Sequence, residues 1–313
     1  MADPLSLHAG TEPALIRALA ALEGIVLGKP EEVRLALVCL VAGGHLLIED
    51  IPGVGKTTLA RALAKVLGLK FQRIQFTSDL LPADVIGTMV FERAHERFSF
   101  RPGPLFAEVV LADEVNRATP RAQSALLEAM QEGQVSVDGE THALPRPFFV
   151  IATQNPQEQI GTYPLPESEL DRFAMRLGLG YPAADAERAL YQAEDRRALL
   201  ARLEPSLAAS DVLALQARAA AVTVAPALLD YLQALVARTR EGQRYEHGLS
   251  PRAGLTLVRL ARAHALLAGR GAVLPEDIQA VLPAAVGHRL RAQGSALSGA
   301  DIGRELIEAV PIP

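Results

Sequence analysis

The sequence predicts an α/β fold, with a parallel sheet sandwiched by helices, followed by an all-α region. Short apolar runs alternate with amphipathic stretches up to about residue 181, and strands separated by helical patterns favour a parallel sheet. From Ala184 onward only helical periodicity is found, with abundant alanine, leucine and arginine. This change in character predicts a boundary near residues 181–186.

Each predicted strand is a short apolar run, and each predicted helix repeats its apolar residues at helical spacing. The strands are predicted at 45–49, 73–76, 109–112 and 148–152. Helices are predicted at 58–67, 120–131, 212–221, 226–240, 251–268 and 275–288. Three of the later helices open with proline, which suits the first helical position.

Two segments interrupt this alternation of strands and helices. One runs from Leu81 to Gly103 and contains the alternating Phe98-Ser99-Phe100. The other covers 134–142, where Asp138-Gly139 lies between alternating residues. An Asp-Gly pair in that setting predicts a β-hairpin directly before the fourth strand.

The composition limits the class of protein. The chain has 313 residues, of which 50% are hydrophobic and 21% charged, so it can bury a sizeable core. A net charge of -5 argues against broad binding to nucleic acid or a membrane surface. The single cysteine, Cys39, lies in an apolar run and is interpreted as a buried small hydrophobe.

The same composition bears on where the protein works. One cysteine allows no disulfide within the chain, which fits a reducing compartment. The residues Met1–Pro4 show no signal peptide, and no apolar run approaches the roughly 20 residues of a membrane span. We therefore expect a cytoplasmic protein without a membrane span.

A phosphate-binding loop is predicted where the first strand meets the first helix. Its residues are Pro52, Gly53, Val54, Gly55, Lys56, Thr57 and Thr58. Glycines let backbone N–H groups turn toward phosphate oxygens, and the helix N-terminus adds its positive dipole end. Lys56 would reach the β and γ phosphates of ATP, and the Thr57 hydroxyl would coordinate Mg²⁺. The first glycine of the common motif is replaced by Asp50.

Two carboxylates follow the third strand. Asp113, at the strand end, is placed to hold Mg²⁺ directly or through water, and Glu114 beside it would act as general base toward the attacking water. A pair of solvated acids after a strand is the alternative interpretation. The preceding phosphate loop favours the catalytic one.

Three further polar residues are candidates for the same chemistry. Asn155 ends the fourth strand and would orient the water and sense the nucleotide, unless it belongs to a simple Asn-Pro turn. Arg172 would be an arginine finger offered to a neighbouring subunit, or a surface residue paired with Asp171. Arg252 begins a later helix and would report on the γ-phosphate, or is an ordinary first-turn arginine.

These motifs together resemble the AAA+ ATPases, and within them the MoxR family. The stretches that carry the resemblance are 43–57, 112–118, 152–156 and 165–173. The resemblance extends over nearly the whole chain, and it makes the acidic Asp50 normal for the family. It implies an AAA+ P-loop NTPase domain at 1–183 followed by an all-α lid domain at 184–313.

The resemblance also implies the roles of smaller segments. The two interruptions are similar to a helix-2 insert, at about 78–105, and a pre-sensor-1 hairpin, at 134–143, which in relatives face the pore of a ring. Val26 and Gly28 lie in a segment that resembles the one packed around adenine, and a helix end capped by Gly28 is a close alternative. Arg117 is an additional candidate for the subunit interface.

The family resemblance implies ATP and Mg²⁺ as ligands and a homo-oligomer, usually a hexameric ring. Such proteins are chaperone-like ATPases that mature or activate other protein complexes, often with a separate protein carrying a von Willebrand factor A domain. A magnesium-chelatase-like motor subunit and a DNA-linked AAA+ motor are alternatives, and the acidic charge weighs against the second. A nucleotide-gated scaffold without useful catalysis is a further alternative, which the Asp113-Glu114 pair disfavours.

Overall fold

The structure, a computed structural model, describes residues 13–156, 161–192, 196–242, 244–294 and 297–312. Residues Met1–Pro4, on which the signal-peptide prediction depends, lie outside this part, as do the outer limits of the two predicted domains. The division into two domains itself stays a prediction.

Helices and strands alternate through the first part of the chain, and helices alone make up the last part. The strands are β1 (Leu46–Glu49), β2 (Phe71–Gln75), β3 (Gly87–Glu92), β4 (Arg97–Pro102), β5 (Val109–Asp113), β6 (Gln134–Val137), β7 (Glu140–Ala143), β8 (Phe149–Gln154) and β9 (Met175–Leu177). The earlier helices are α1 (Pro13–Ile25), α2 (Pro30–Val41), α3 (Lys56–Val66), α4 (Pro82–Ile86), α5 (Pro120–Glu132) and α6 (Glu167–Leu170). The later helices are α7 (Ala184–Gln192), α8 (Arg196–Arg202), α9 (Ala209–Ala221), α10 (Pro226–Arg240), α11 (Pro251–Leu267), α12 (Pro275–Val286) and α13 (Gly299–Ala309).

The central sheet confirms the predicted parallel arrangement. Within the described residues it has five strands in the order β2-β5-β8-β1-β9, and each pair of neighbours is parallel. The four predicted strands correspond to β1, β2, β5 and β8, with ends shifted by one or two residues. The edge strand β9 was not predicted.

Helices cover both faces of this sheet because its interior strands β1, β5 and β8 are apolar on both sides. In β1, Leu46 and Ile48 face one core together with α1, α2 and α3, whereas Leu47 faces a second core with α4 and α5. Successive side chains of a strand point to opposite faces, so the two cores divide β1 residue by residue.

The helical part joins the first of these cores. Helices α9 and α11 pack on α2, and α12 packs on β9. One continuous cluster of buried apolar residues therefore runs from the sheet into the later helices. Cys39 of α2 is fully buried in this cluster, as predicted, and burial raises the pKa of its thiol.

Two hairpins stand apart from the sheet. Strands β3 and β4 pair in one, and β6 and β7 pair in the other. Asp138 and Gly139 have φ values of 50° and 86°, as a tight hairpin turn requires. The hairpin predicted from this residue pair is confirmed.

Among the described residues, no helix combines the length and the apolar character that crossing a membrane would need.

Candidate nucleotide site

The loop between β1 and α3 has the backbone that the sequence predicts for phosphate binding. Gly53 and Gly55 have φ values of 86° and 99°, which favour glycine, and no neighbouring atom would crowd a Cβ at either position. Lys56, Thr57 and Thr58 form the first turn of α3, where backbone N–H groups are unpaired within the helix. The glycines are thus required by loop conformation, and the loop presents the end of a helix dipole.

Asp50 connects this loop to a distant part of the chain. Its carboxylate accepts hydrogen bonds from the N–H of Ile51 at 2.8 Å and from the N–H of Gly180 at 2.6 Å. The side chain of Lys56 donates to the Asp50 carbonyl at 2.6 Å. The residue that departs from the common motif therefore fixes the entry to the loop.

The segment with Val26 and Gly28, which is predicted to pack around adenine, lies next to Gly180, a residue that Asp50 contacts. Lys29, next to Gly28, donates to the carbonyl of Tyr181 at 3.1 Å. Gly28 has φ 71°, and a Cβ there would lie 2.6 Å from Cβ of Ala186 on α7. Val26 is 7% exposed. A side chain at position 28 is therefore excluded by both conformation and space.

The predicted acidic pair lies at the end of β5. Asp113 is 8% exposed, and its carboxylate accepts from the Thr153 hydroxyl at 2.5 Å and from Nε of Arg73 at 3.0 Å. The Thr153 hydroxyl in turn accepts from the N–H of Glu114 at 2.9 Å. Thr153 thus sets the orientation of both acidic residues.

Glu114 has the left-handed backbone conformation, with φ 57°, so the chain turns sharply after β5. Oε2 of its carboxylate accepts from Gln75 at 2.8 Å and from Arg117 at 3.0 Å. Arg73 also donates to the side-chain oxygen of Gln75. Arg73 and Gln75 of β2 therefore link the two carboxylates in one polar network.

Asn155 lies between the acidic pair and the phosphate loop. It follows β8, which is paired with β5 on one side and β1 on the other, and it is 7% exposed. Because all three strands are parallel, their carboxyl ends share one edge of the sheet. The structure brings the loop, Asp113, Glu114 and Asn155 together at this edge, in the order that the sequence predicts.

Arg172 lies at the opposite edge of the sheet. It precedes β9, which is parallel to β1, so it belongs to the amino ends of the strands. About 10 Å of strand, the length of β1, separates the two edges. Nη1 of Arg172 donates to the Leu127 carbonyl at 3.0 Å. Arg172 therefore faces away from the phosphate loop of its own chain.

Arg252 accompanies Arg172 rather than the loop. Both line a cavity of about 240 Å³ whose other lining residues include Gly43, His45 and Arg259. Gly43 and His45 precede β1, so this cavity also lies at the amino ends of the strands. Arg252 therefore lies away from the phosphate loop of its own chain.

His45 is held neutral beside this cavity. It is buried, and burial lowers its pKa to about 4. Its Nδ1 accepts from the N–H of Val150 at 3.0 Å, so the proton is on Nε2, which contacts the Met130 carbonyl at 3.1 Å. The charged groups that line the cavity are therefore Asp171 and the three arginines Arg172, Arg252 and Arg259.

Oxygen donors suited to Mg²⁺ are present at the loop edge in the Thr57 hydroxyl and the Asp113 carboxylate. The part of the chain that the structure describes holds no cluster of three or more His, Cys, Asp or Glu residues of metal-binding type. A sparse oxygen set fits a cation that keeps several water ligands and shares phosphate oxygens with a bound nucleotide.

The sequence did not predict the roles of Arg73, Gln75 and Thr153. Arg73 and Gln75 alternate with the buried Ile74 along β2, a pattern typical of a half-exposed strand. Nothing in that pattern says that the polar face is turned toward the acidic pair. Thr153 lies in the stretch 152–156, which resembles the AAA+ family, and it immediately precedes Gln154 and Asn155. This position in the sequence was the signal that could have identified it.

Comparisons with known proteins agree with this architecture. Residues 45–175 match the ATPase family associated with various cellular activities (AAA), and residues 237–308 match the AAA lid domain. The chain is 43% identical to the protein YeaC of Bacillus subtilis, over 96% of this chain and 95% of the relative. It is 42% identical to Chaperone MoxR1 of Mycobacterium tuberculosis, over 88% of this chain and 75% of the relative.

A solved structure has the same fold throughout. The crystal structure of a proposed ATPase from Cytophaga hutchinsonii superposes with a TM-score of 0.88 at 36% identity, covering 96% of this chain and 95% of that one. The fold and the site define a P-loop nucleotide-binding protein with a helical lid. The chain belongs to the MoxR family of AAA+ ATPases.

Proposed function

We propose that the protein hydrolyses ATP to ADP and phosphate at a site shared by two copies of the chain. The observation that carries this proposal is the separation of its charged groups. The loop and the carboxylates lie at one edge of the sheet, and Arg172 and Arg252 lie at the other. A copy that binds nucleotide would receive its arginines from a neighbour through a head-to-tail contact, which generates a ring when it closes. A hexameric ring is the expected assembly.

Within one copy, residues 52–58 would hold the phosphates, and Val26 and Gly28 would contact the adenine. Mg²⁺, bound by Thr57 and Asp113, would supply charge neutralisation for the phosphate oxygens. Glu114 would accept a proton from the attacking water, and Asn155 would orient that water. The side chain of Glu114 would exchange its contact with Gln75 or Arg117 for the water.

The arginines would act on charge that develops during phosphoryl transfer. An arginine supplied by a neighbour is worth roughly 10³–10⁵ in rate in related reactions. Support for that role here is the exposed position of Arg252 and the absence of any ion pair to it among the described residues. The Arg252 guanidinium is thus accessible to a ligand from outside the chain, and Arg172, which is half-buried, uses one nitrogen for the Leu127 carbonyl.

The work done by hydrolysis would be the remodelling of a client protein complex, together with a separate protein carrying a von Willebrand factor A domain. The support is the relationship to a protein named Chaperone MoxR1 and an exposed aromatic pair on the β3–β4 hairpin. Phe91 and Phe98 are 49% and 65% exposed, with ring centroids 5.2 Å apart. Exposed aromatic rings of this kind are suited to contacting apolar segments of another protein.

Two single variants and their mixture test the shared site. Glu114→Gln should bind ATP and lose about 10²–10⁴-fold in steady-state turnover, because it lacks the general base. Arg172→Ala should also bind ATP and fail to turn over. Mixed in equal amounts, the two should recover about a quarter of wild-type activity, since one interface in four joins an intact loop edge to an intact arginine.

The measurement is phosphate release, with binding followed by a fluorescent nucleotide and assembly by sedimentation. Glu128→Gln, an exposed change on α5, is the matched control and should leave turnover unchanged. An assembled mixture with no more activity than either variant alone would contradict the shared site. Normal turnover by Glu114→Gln would remove Glu114 from the role of base.

A further inference from the structure

The residue before Arg172 is bound by two residues of the helical part. Ser250 donates its hydroxyl to Oδ2 of Asp171 at 2.9 Å, and Arg289 donates from Nε to Oδ1 at 2.7 Å. Both oxygens of one carboxylate are therefore used, one by the residue before α11 and one by a residue after α12. This contact connects the strand-β9 loop to the lid.

Arg289 also holds the backbone around Arg172. Its side chain is 4% exposed, and it donates to the carbonyls of Asp171 at 3.1 Å and Phe173 at 2.6 Å. Burial lowers the pKa of Arg289, and the Asp171 carboxylate opposes that shift. A buried guanidinium with this many partners has little freedom, so the backbone on both sides of Arg172 is fixed.

Ser250 fixes the start of the helix that carries Arg252. Its hydroxyl oxygen caps α11 by accepting from the N–H of Ala253 at 3.1 Å. Arg252 is the second residue of that helix, so its position follows from where the cap is held. Asp171 is thus adjacent to one arginine and bonded to the cap that carries the other.

We propose that Asp171, Ser250 and Arg289 form a positioning unit that sets Arg172 and Arg252 at a common geometry toward the phosphates of a neighbouring copy's nucleotide. This inference rests on the proposed shared site. None of the three residues needs to touch the nucleotide. They act by setting the distance between the two arginines and the phosphates, and a displacement of about 1 Å can lower the rate about 10²-fold.

Substitutions at Ser250 separate positioning from stability. Ser250→Asp keeps a helix-capping acceptor but places a second carboxylate against Asp171. Its turnover should fall at least about tenfold, whereas its affinity for ATP should change less than about twofold, because the phosphate loop is untouched. Ser250→Thr keeps the hydroxyl and should retain turnover.

Mixing with Glu114→Gln provides a result that a purely structural role would not produce. Ser250→Asp subunits have an intact loop edge, and Glu114→Gln subunits have intact arginines, so the mixture should regain about a quarter of wild-type turnover. Arg172→Ala mixed in the same way is the reference. Glu305→Gln, which removes the lid ion pair with Arg244, is the control and should leave turnover unchanged.

Two outcomes distinguish the inference from the function on which it rests. If the Arg172→Ala mixture recovers and the Ser250→Asp mixture does not, the positioning unit is wrong and the shared site stands. If neither mixture recovers, the shared site itself is wrong. Ser250→Ala replaces Ser250→Asp if the latter fails to assemble, with a smaller loss of turnover and the same recovery expected on mixing.

Discussion

At the scale of single residues, Asp50 shows that a departure from a common motif can have a structural role. Most phosphate loops have glycine there. In this chain the carboxylate joins the loop to Gly180, and its backbone carbonyl accepts from Lys56. The side chain holds the entry to the loop in place, and we expect this to lower the ordering cost of binding.

Asp50→Gly should therefore weaken ATP binding, although it restores the common motif. The charge-assisted hydrogen bond to Gly180 stabilises the loop conformation by about 1.5–3 kcal/mol, so we expect its loss to weaken ATP affinity about tenfold. Titration with a fluorescent nucleotide measures this. Asp50→Asn keeps one acceptor oxygen and should lose less, and equal affinity of Asp50→Gly and wild type would contradict the assignment.

The residues of the site were predictable where they follow strands. Asp113, Asn155 and the loop that contains Lys56 each follow an apolar run within a few residues, and parallel strands end at one edge. Thr153 and Gln75 were not predictable, because their partners are 39 or 40 residues away along the chain. Their value lies in side-chain contacts that only the folded chain creates.

At the scale of elements, the two hairpins outside the sheet are joined by aromatic rings. Phe100 of β4 stacks on His142 of β7, with ring centroids 3.9 Å apart and planes 11° apart. Phe100 also contacts Phe106 at its edge. This stack therefore connects the β3–β4 hairpin to the β6–β7 hairpin, and we expect the two to support each other.

His142→Ala should loosen both hairpins while ATP turnover stays within about twofold of wild type. An aromatic pair of this kind is worth about 0.5–1.5 kcal/mol, so amide hydrogen exchange in β3–β4 and β6–β7 should accelerate about three- to tenfold. Hydrogen exchange followed by mass spectrometry measures this. Phe98→Ala, at the exposed part of the β3–β4 hairpin, is the control and should leave β6–β7 unchanged.

The four predicted strands and six predicted helices lie within three residues of their observed limits, whereas other elements, including α1, α2, α13 and β9, were not predicted. The strands that form the interior of the sheet are continuous apolar runs, and the helix Pro226–Arg240 was predicted with its observed limits. Strand β9 has three residues, Met175–Leu177, with Arg176 in the middle. So short a segment becomes a strand because β1 offers it backbone partners.

At the scale of the whole molecule, buried histidines make stability depend on pH. The pKa of His45 is about 4 in the folded chain against 6.5 when exposed, and burial also lowers the pKa of His288 well below 6.5. Between pH 6.5 and 4 the unfolded chain binds a proton at His45 that the folded chain does not. Stability therefore falls as the pH drops through this window.

The expected loss from His45 alone is about 2 kcal/mol between pH 7 and pH 5. Thermal melts at the two pH values should show a larger drop in Tm for wild type than for His45→Gln, whose amide does not titrate. His247→Gln, at an exposed position, should show the wild-type drop. An identical pH response of wild type and His45→Gln would contradict the origin of the effect.

The placement of Arg252 is the feature of the whole molecule that local patterns could not predict. Its helix, Pro251–Leu267, was predicted from periodicity and proline, but periodicity does not say where a helix packs. Packing of α11 on α2 and the contact of Ser250 with Asp171 decide that the arginine faces the amino ends of the strands.

The shared apolar interior has a mechanical consequence. Helix α2 lies against β1 on one side and against α9 and α11 on the other. The nucleotide-binding part and the helical part therefore share one continuous apolar interior. Swinging them apart would expose that interior to water at about 25 cal/mol per Å². We expect each copy to move as a rigid body, so that conformational change during ATP turnover occurs mainly at the contacts between copies.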